Sequence, residues 1–277
     1  MRYTRIFTFA AVAFGLAACS EPSNEPKLAK LPPLAYVRYI NAIPDTLNTT
    51  VRFQDQVEYS PQSFVNVAFR GLGAGNYQPT EAGNRKFKVF TADAVNWSVA
   101  GNTQVLQDTD MSFEAGKYYT VLHAGFARPG GSPAQHLVQM VDDTPVPQSG
   151  LAMRIVNLAY GVGAVDVYKL ASATSPISGA PMFANVGIDQ VTAYQTTGKG
   201  AFAIAITAAG TTNILGVGTA PAGQPANPPY VEAIGGSAID GSTMTIIAYP
   251  SSANNMAGTG KFTTPGVAFY LDQRPPK

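Results

Sequence analysis

From Ala35 onward, apolar and polar residues alternate in short runs rather than recurring at helical spacing. In the run Tyr118 to His123, the side chains of Tyr119, Val121 and His123 fall on one face of an extended segment, and Tyr118, Thr120 and Leu122 on the other. The runs are rich in β-branched and aromatic residues, and Gly, Pro, Asn or Asp bounds them. Ala82-Gly83-Asn84 and Asp240-Gly241 supply the positive φ of tight turns. Turn signals at intervals of roughly 8–12 residues predict an all-β chain built as a sandwich.

The pattern occurs twice. Val37-Arg38-Tyr39-Ile40-Asn41 aligns with Met153-Arg154-Ile155-Val156-Asn157, and Thr50-Val51-Arg52-Phe53 with Val165-Asp166-Val167-Tyr168. Ser63-Phe64-Val65-Asn66-Val67 resembles Met182-Phe183-Ala184-Asn185-Val186. Arg85 to Phe90 corresponds to Ala201 to Ile206, and Glu114 to Val121 parallels Ile239 to Ile246. Each half closes on an apolar strand, His136 to Val141 and Val267 to Leu271. The correspondences keep one order, so the sequence reads as a tandem duplication. Residues 35–145 are expected to form a first sandwich and 146–277 a second, both immunoglobulin-like in architecture, each with its own core. Val37, Ile40 and Phe53 are assigned to one core and Ile155, Val167 and Ile204 to the other. The Cys–Trp–Cys signature of antibody domains is absent, so the likeness is architectural.

The chain has 277 residues, enough for two such domains, and 45% hydrophobic residues suffice for packed cores. Only 13% are charged and the formal net charge is +1, which gives nucleic acid no electrostatic handle. Cys19 is the single cysteine. Arg2 and Arg5 precede an apolar stretch from Ile6 to Leu16, too short to span a bilayer of about 30 Å, and small residues lead into Cys19. Leu16-Ala17-Ala18-Cys19 resembles the lipobox of bacterial lipoproteins. That resemblance implies a signal peptide over residues 1–18, a diacylglycerol on the Cys19 thiol, and anchoring in the cell envelope. Residues 19–34, rich in Pro, Ser and Glu, read as an extended tether. Ser20 is not the Asp that retains enterobacterial lipoproteins at the inner membrane, so the outer membrane is the expected address.

Val37-Arg38-Tyr39-Ile40-Asn41-Ala42-Ile43-Pro44-Asp45 and Val165-Asp166-Val167-Tyr168 resemble the two parts of the opening motif of the domain-of-unknown-function 4397 family. Phe113 to Val121 resembles its later L-x-A-G-x-x-Y-T-V pattern. The family's motif His is replaced by Asn41 and Asn157. The resemblance implies a secreted or surface-anchored sandwich and carries no activity.

Candidate chemistry is sparse. His123 and His136 are the only histidines, and both fall on strands late in the first repeat. They would begin a metal site or an acid–base pair, but zinc wants three or four ligands and no Cys is free to help. Asp108 and Asp110 alternate onto one side of an extended segment near Asn102, the weak beginning of a calcium loop. No cofactor motif is present; Gly71-Leu72-Gly73-Ala74-Gly75 lacks the helix that would present a phosphate site. The aromatic residues, 13 Tyr, 14 Phe and Trp97, suit glycan or protein contact. Trp97, Tyr230 and Tyr249 are the candidates for ligand contact, although Trp97 fits a core position as well. The long loops 219–229 and 250–260 are the expected walls of any cleft, together with the space between the sandwiches.

The sequence therefore points to a lipid-anchored extracytoplasmic module that binds or supports, without catalysis. Its partners would be the membrane, through Cys19, and an envelope protein or glycan. Two alternatives stay open: an envelope hydrolase or metal-dependent enzyme using loop carboxylates, and a passive surface spacer.

Overall fold

A computed structural model describes residues 32–54, 62–73, 76–92, 104–143, 145, 147–229, 232–252 and 262–272. The described residues are all-β, with no helix. In chain order the strands of the first half are β1 (Leu34–Asn41), β2 (Thr49–Phe53), β3 (Gln62–Val67), β4 (Gly71–Leu72), β5 (Gln78–Glu81), β6 (Gly83–Thr91), β7 (Val105–Phe113), β8 (Tyr118–Ala124) and β9 (His136–Val141). Those of the second are β10 (Leu151–Asn157), β11 (Val165–Leu170), β12 (Phe183–Val186), β13 (Gln195–Thr197), β14 (Ala203–Ala208), β15 (Ile214–Thr219), β16 (Ser242–Tyr249) and β17 (Gly266–Leu271).

Four sheets result, and none mixes strands from the two halves. The first half contributes a five-stranded sheet, β4-β1-β8-β9 with β5 also on β1, and a four-stranded sheet, β3-β2-β6-β7. The second contributes β13-β10-β16-β17 and β12-β11-β14-β15. In both halves the first strand runs parallel to its long neighbour, with Arg38 opposite Thr120 and Arg154 opposite Thr245.

Period-two alternation sends Val37, Tyr39, Val51, Phe87, Val89 and Val121 into one core between the first two sheets. Ile155, Val167, Ile204 and Ile246 enter the matching core of the second half. A third cluster joins the halves back to back: Ile40, Leu122 and Met140 pack against Val156, Ile247 and Tyr249. Ile40, which the sequence pattern assigned to the first sandwich's own core, therefore faces the other half. The order of layers puts β1-β8 and β10-β16 inside the stack, buried on both faces. Hence every residue of β10 and β16 is buried, and the period-two alternation of polarity disappears there.

Shared local chemistry fixes which residues are equivalent. Asn66 and Asn185 both adopt positive φ, 53° and 50°. The Asn66 amide N–H donates to Thr50 Oγ1 (3.2 Å), and that of Asn185 to Asp166 Oδ1 (2.7 Å). Thr50 thus stands where Asp166 stands, one residue from the alignment the sequence suggested. Alternation alone fits either phase; the inward residues are Val51 and Val167, opposite Val89 and Ile206.

Candidate functional site

A buried polar cluster lies between the halves and is built twice. Arg38 Nε donates to Thr120 Oγ1 (2.6 Å), Nη1 to the Leu271 carbonyl (2.8 Å), and Nη2 to Asp272 of the other half. Arg154 repeats this: Nε to Thr245 Oγ1 (2.9 Å), Nη1 to the Val141 carbonyl (3.1 Å), and Nη2 to Asp142. Tyr77 covers Arg38 at 4.8 Å and donates to Asp142, while Tyr194 covers Arg154 at 4.8 Å and donates to Asp272. Each half thus gives its Arg to the other's Asp, the reciprocity of a two-fold interface. Burial works against the Arg38 charge, but Asp272, Tyr77 and Asp142 outweigh it and its pKa is raised. Burial, aided by the neighbouring carboxylates, raises Tyr77 and Tyr194, so both remain hydroxyl donors. Neither Asp142 nor Asp272 is among the candidate residues that the sequence singles out. Their signal is that each directly follows the last strand of its half. Asn41 and Asn157, which replace the family His, serve the backbone: their Nδ2 atoms donate to the Val67 and Val186 carbonyls (2.9 and 2.8 Å).

The edges of the first sandwich part to form a groove of about 280 Å³. Gln107, Thr109, Asp110 and Met111 of β7 line one side, and Gln135, His136, Leu137 and Gln139, on or next to β9, the other. Gln107, Thr109, Leu137 and Gln139 lie opposite inward residues of β6 and β8, so they too point between the sheets. Two glutamines bridge the gap: Gln107 Nε2 donates to the Gln135 carbonyl (3.0 Å) and Gln139 Nε2 to the Ser112 carbonyl (2.8 Å).

His123 holds Gln135, one of the groove's lining residues. It is fully buried, its Nε2 lies 3.0 Å from Gln135 Oε1 and its Nδ1 3.2 Å from the Tyr39 hydroxyl, which meets Thr49 Oγ1 at 2.8 Å. With Gln135 turned this way Nε2 carries the proton and Nδ1 accepts from Tyr39. Burial pushes the His123 pKa down to about 3, so the ring is neutral at physiological pH. His136 is one register step away and on the opposite face, so the two rings form no common site. Its Nδ1 donates to the Ala134 carbonyl (2.9 Å), and its Nε2 sits 3.4 Å from Asp189 Oδ2.

The second sandwich seals the same flank. Gly216 and Gly218 occupy the places of Gln107 and Thr109, and Val267 and Phe269 those of Leu137 and Gln139. A Cβ at Gly216 would lie 2.7 Å from the Pro265 carbonyl oxygen, and one at Gly218 2.6 Å from that of Val267. The missing side chains let β15 lie directly against β17. Ala248 stands where His123 stands.

The remaining candidates separate. Asp108 and Asp110 lie mid-strand on β7, not in a loop, and face lysines: Asp108 meets Lys88 at 2.9 Å and Lys86 at 3.2 Å, and Asp110 meets Lys86 at 3.4 Å. The hydrogen bond from Lys88 leads in lowering the Asp108 pKa. A cation would have to displace two ammonium groups there. Tyr249 is fully buried between the halves with its hydroxyl 2.6 Å from that of Tyr270, so it offers no surface to a ligand. Burial raises its pKa well above the ordinary phenol value. Cys19, Trp97, Tyr230 and most of loop 250–260 lie outside the described residues. A second cleft lies over Ser149, Gly150, Thr196 to Lys199 and Asp240, none of which belongs to the loops the sequence singled out. Its polar groups satisfy one another: Asp240 takes Lys199 and the Gly150 amide, and Lys169 caps Thr197 and the Gly198 carbonyl.

A comparison with curated proteins finds no match. The family comparison does: residues 35–168, from β1 into β11, match DUF4397, a domain of unknown function, the family that the opening motif resembles.

Proposed function

We propose that the chain is a non-catalytic binding or structural module of the cell envelope, held at the outer membrane by lipid on Cys19, with the groove between β7 and β9 as its contact surface. The observation that supports this reading is where the ionisable chemistry goes. Arg38, Arg154, Asp142 and Asp272 are buried in reciprocal pairs that join the halves. His123 is enclosed and neutral, bonded to an amide and a phenol rather than to a carboxylate that would make it a base. A general base needs a pKa near the working pH and reach to a substrate, and His123 has neither. The open groove favours binding over a passive spacer.

Two measurements test the reading. Full-length protein is expected to partition into detergent, and Cys19→Ser to abolish that partitioning or leave the leader uncut. The purified protein is expected to show no turnover with a hydrolase panel and no stoichiometric metal by elemental analysis. Unchanged partitioning of the variant contradicts the anchor; turnover or a bound metal contradicts the non-catalytic role.

A further inference from the structure

We infer that the flank between β7 and β9 binds an uncharged, hydroxyl-rich ligand: a neutral sugar residue of an envelope glycan. The inference rests on reading the chain as a binding module and names what that module takes.

A sandwich edge of this kind has a stable closed form in the same molecule. Where Gly216 and Gly218 let β15 and β17 meet, Gln107 and Thr109 hold β7 and β9 apart. The groove is open, with Gln139 exposed and Gln107 and Gln135 half-buried, so their amides keep hydrogen-bonding capacity for a ligand. Each of the three glutamines has half of its amide tied to the protein. Gln107 and Gln139 spend Nε2 on the Gln135 and Ser112 carbonyls, and Gln135 spends Oε1 on His123. Among the described residues, Gln107 Oε1, Gln139 Oε1 and Gln135 Nε2 make no hydrogen bond. The result is two acceptors and a donor, each on an amide tied to the protein at its other end, beside the Thr109 hydroxyl and over an apolar floor of Leu137 and Met111. His123 holds one end of the Gln135 amide and leaves the other for a ligand.

Hydroxyls both donate and accept, so a sugar satisfies this mixed set, and its C–H face suits the floor. Preorganised donors and acceptors lower the ordering cost of binding. Ions are poorly matched, because Asp110 at the groove's lip is already paired with Lys86 at 3.4 Å. An added peptide strand is poorly matched too. It would need the Gln135 and Ser112 carbonyls, and the glutamine side chains already occupy both. The volume, about 280 Å³, suits a single sugar ring rather than a larger cofactor.

The test uses the full-length protein in detergent, with methyl glucoside, methyl galactoside and chitobiose at millimolar concentration, read by saturation-transfer NMR and calorimetry. An uncharged peptide of alternating Val and Thr serves as the rival probe. At least one sugar is expected to bind. Gln139→Ala, at an exposed position, should weaken it about tenfold, the scale of one hydrogen bond. Gln107→Gly combined with Thr109→Gly, which copies the sealed flank, should abolish it, while Phe269→Ala in the second sandwich should leave it unchanged. Near-ultraviolet circular dichroism checks the fold; if the double variant is misfolded, Gln139→Ala decides. Binding of none of the sugars, binding indifferent to Gln139→Ala, or binding of the peptide alone overturns the inference. Loss of sugar binding with Cys19-dependent anchoring intact removes the groove assignment only. A sugar that binds and is cleaved keeps the groove and removes the non-catalytic reading.

Discussion

At the edge of the second sandwich, Gly216 and Gly218 leave room for β17, and the core is sealed by backbone against backbone. At the same edge of the first, Gln107 reaches across to the Gln135 carbonyl and the strands stay apart. The difference is confined: behind the two flanks the interface network is repeated almost atom for atom, down to the 4.8 Å between each arginine and its tyrosine. Duplication kept what holds the halves together and let the free edges diverge. Closing an edge requires residues with no side chain to get in the way, and opening one requires polar side chains that can satisfy each other and still leave capacity over. The buried His123, where the sealed half has Ala248, belongs to the open state because it anchors Gln135.

The largest effects should fall on what the halves share. Asp272→Ala removes the carboxylate bonded to Arg38, leaving Asp142 3.9 Å away, and Asp142→Ala removes the one bonded to Arg154. Each should cost about 3–5 kcal/mol in chemical denaturation, as breaking a buried pair does. Near-equal costs sharpen the comparison; a large inequality would break the symmetry it rests on. Next comes the sealed edge. Gly218→Ala places a Cβ 2.6 Å from the Val267 carbonyl oxygen and 3.0 Å from its Cβ, neither of them the far end of a flexible side chain. It should destabilise by about 1–3 kcal/mol, whereas Thr109→Ala on the open edge should cost clearly less.

His123 gives the open half an acid sensitivity that the sealed half lacks. Its folded pKa of about 3 lies below the ordinary 6.5, so below 6.5 the unfolded chain takes up a proton that the folded chain refuses. Stability should therefore fall as pH drops from 6.5 toward about 3, with a slope contribution approaching about 1.4 kcal/mol per pH unit. Denaturation of His123→Gln across that window should lack this component; an unchanged slope would contradict the neutral, buried ring. The smallest effect belongs to the exposed ladder of β6 and β7. Asp108→Asn should barely move the melting temperature, and any change should vanish in high salt.

Much of this was legible in the residues and some was not. Alternation gave the all-β fold, and the repeated Arg–Asn motif gave the two similar halves. The same alternation could not say which face of β1 meets the other half, so Ile40 was placed in the wrong cluster. It could not distinguish a loop from a polar edge strand either: Asp108 and Asp110 look like loop residues until Lys86 and Lys88 are seen opposite them. Tyr249 looked like a contact residue because it precedes a long loop, but the packing of one half on the other buries it. The groove was missed because glutamine carries no catalytic signature. Its trace in the sequence is polar residues in the inward phase of two edge strands, Gln107 and Gln139, set against Gly216 and Phe269 in the repeat.

Hydrogen–deuterium exchange of the folded, full-length protein tests most directly whether one flank is sealed and the other open. Peptides covering β15 and β17 should exchange slowly along their facing edges, and those covering β7 and β9 markedly faster, with the difference shrinking when a groove ligand is added. Equal protection of the two pairs of edge strands, or faster exchange at β15, would contradict the account.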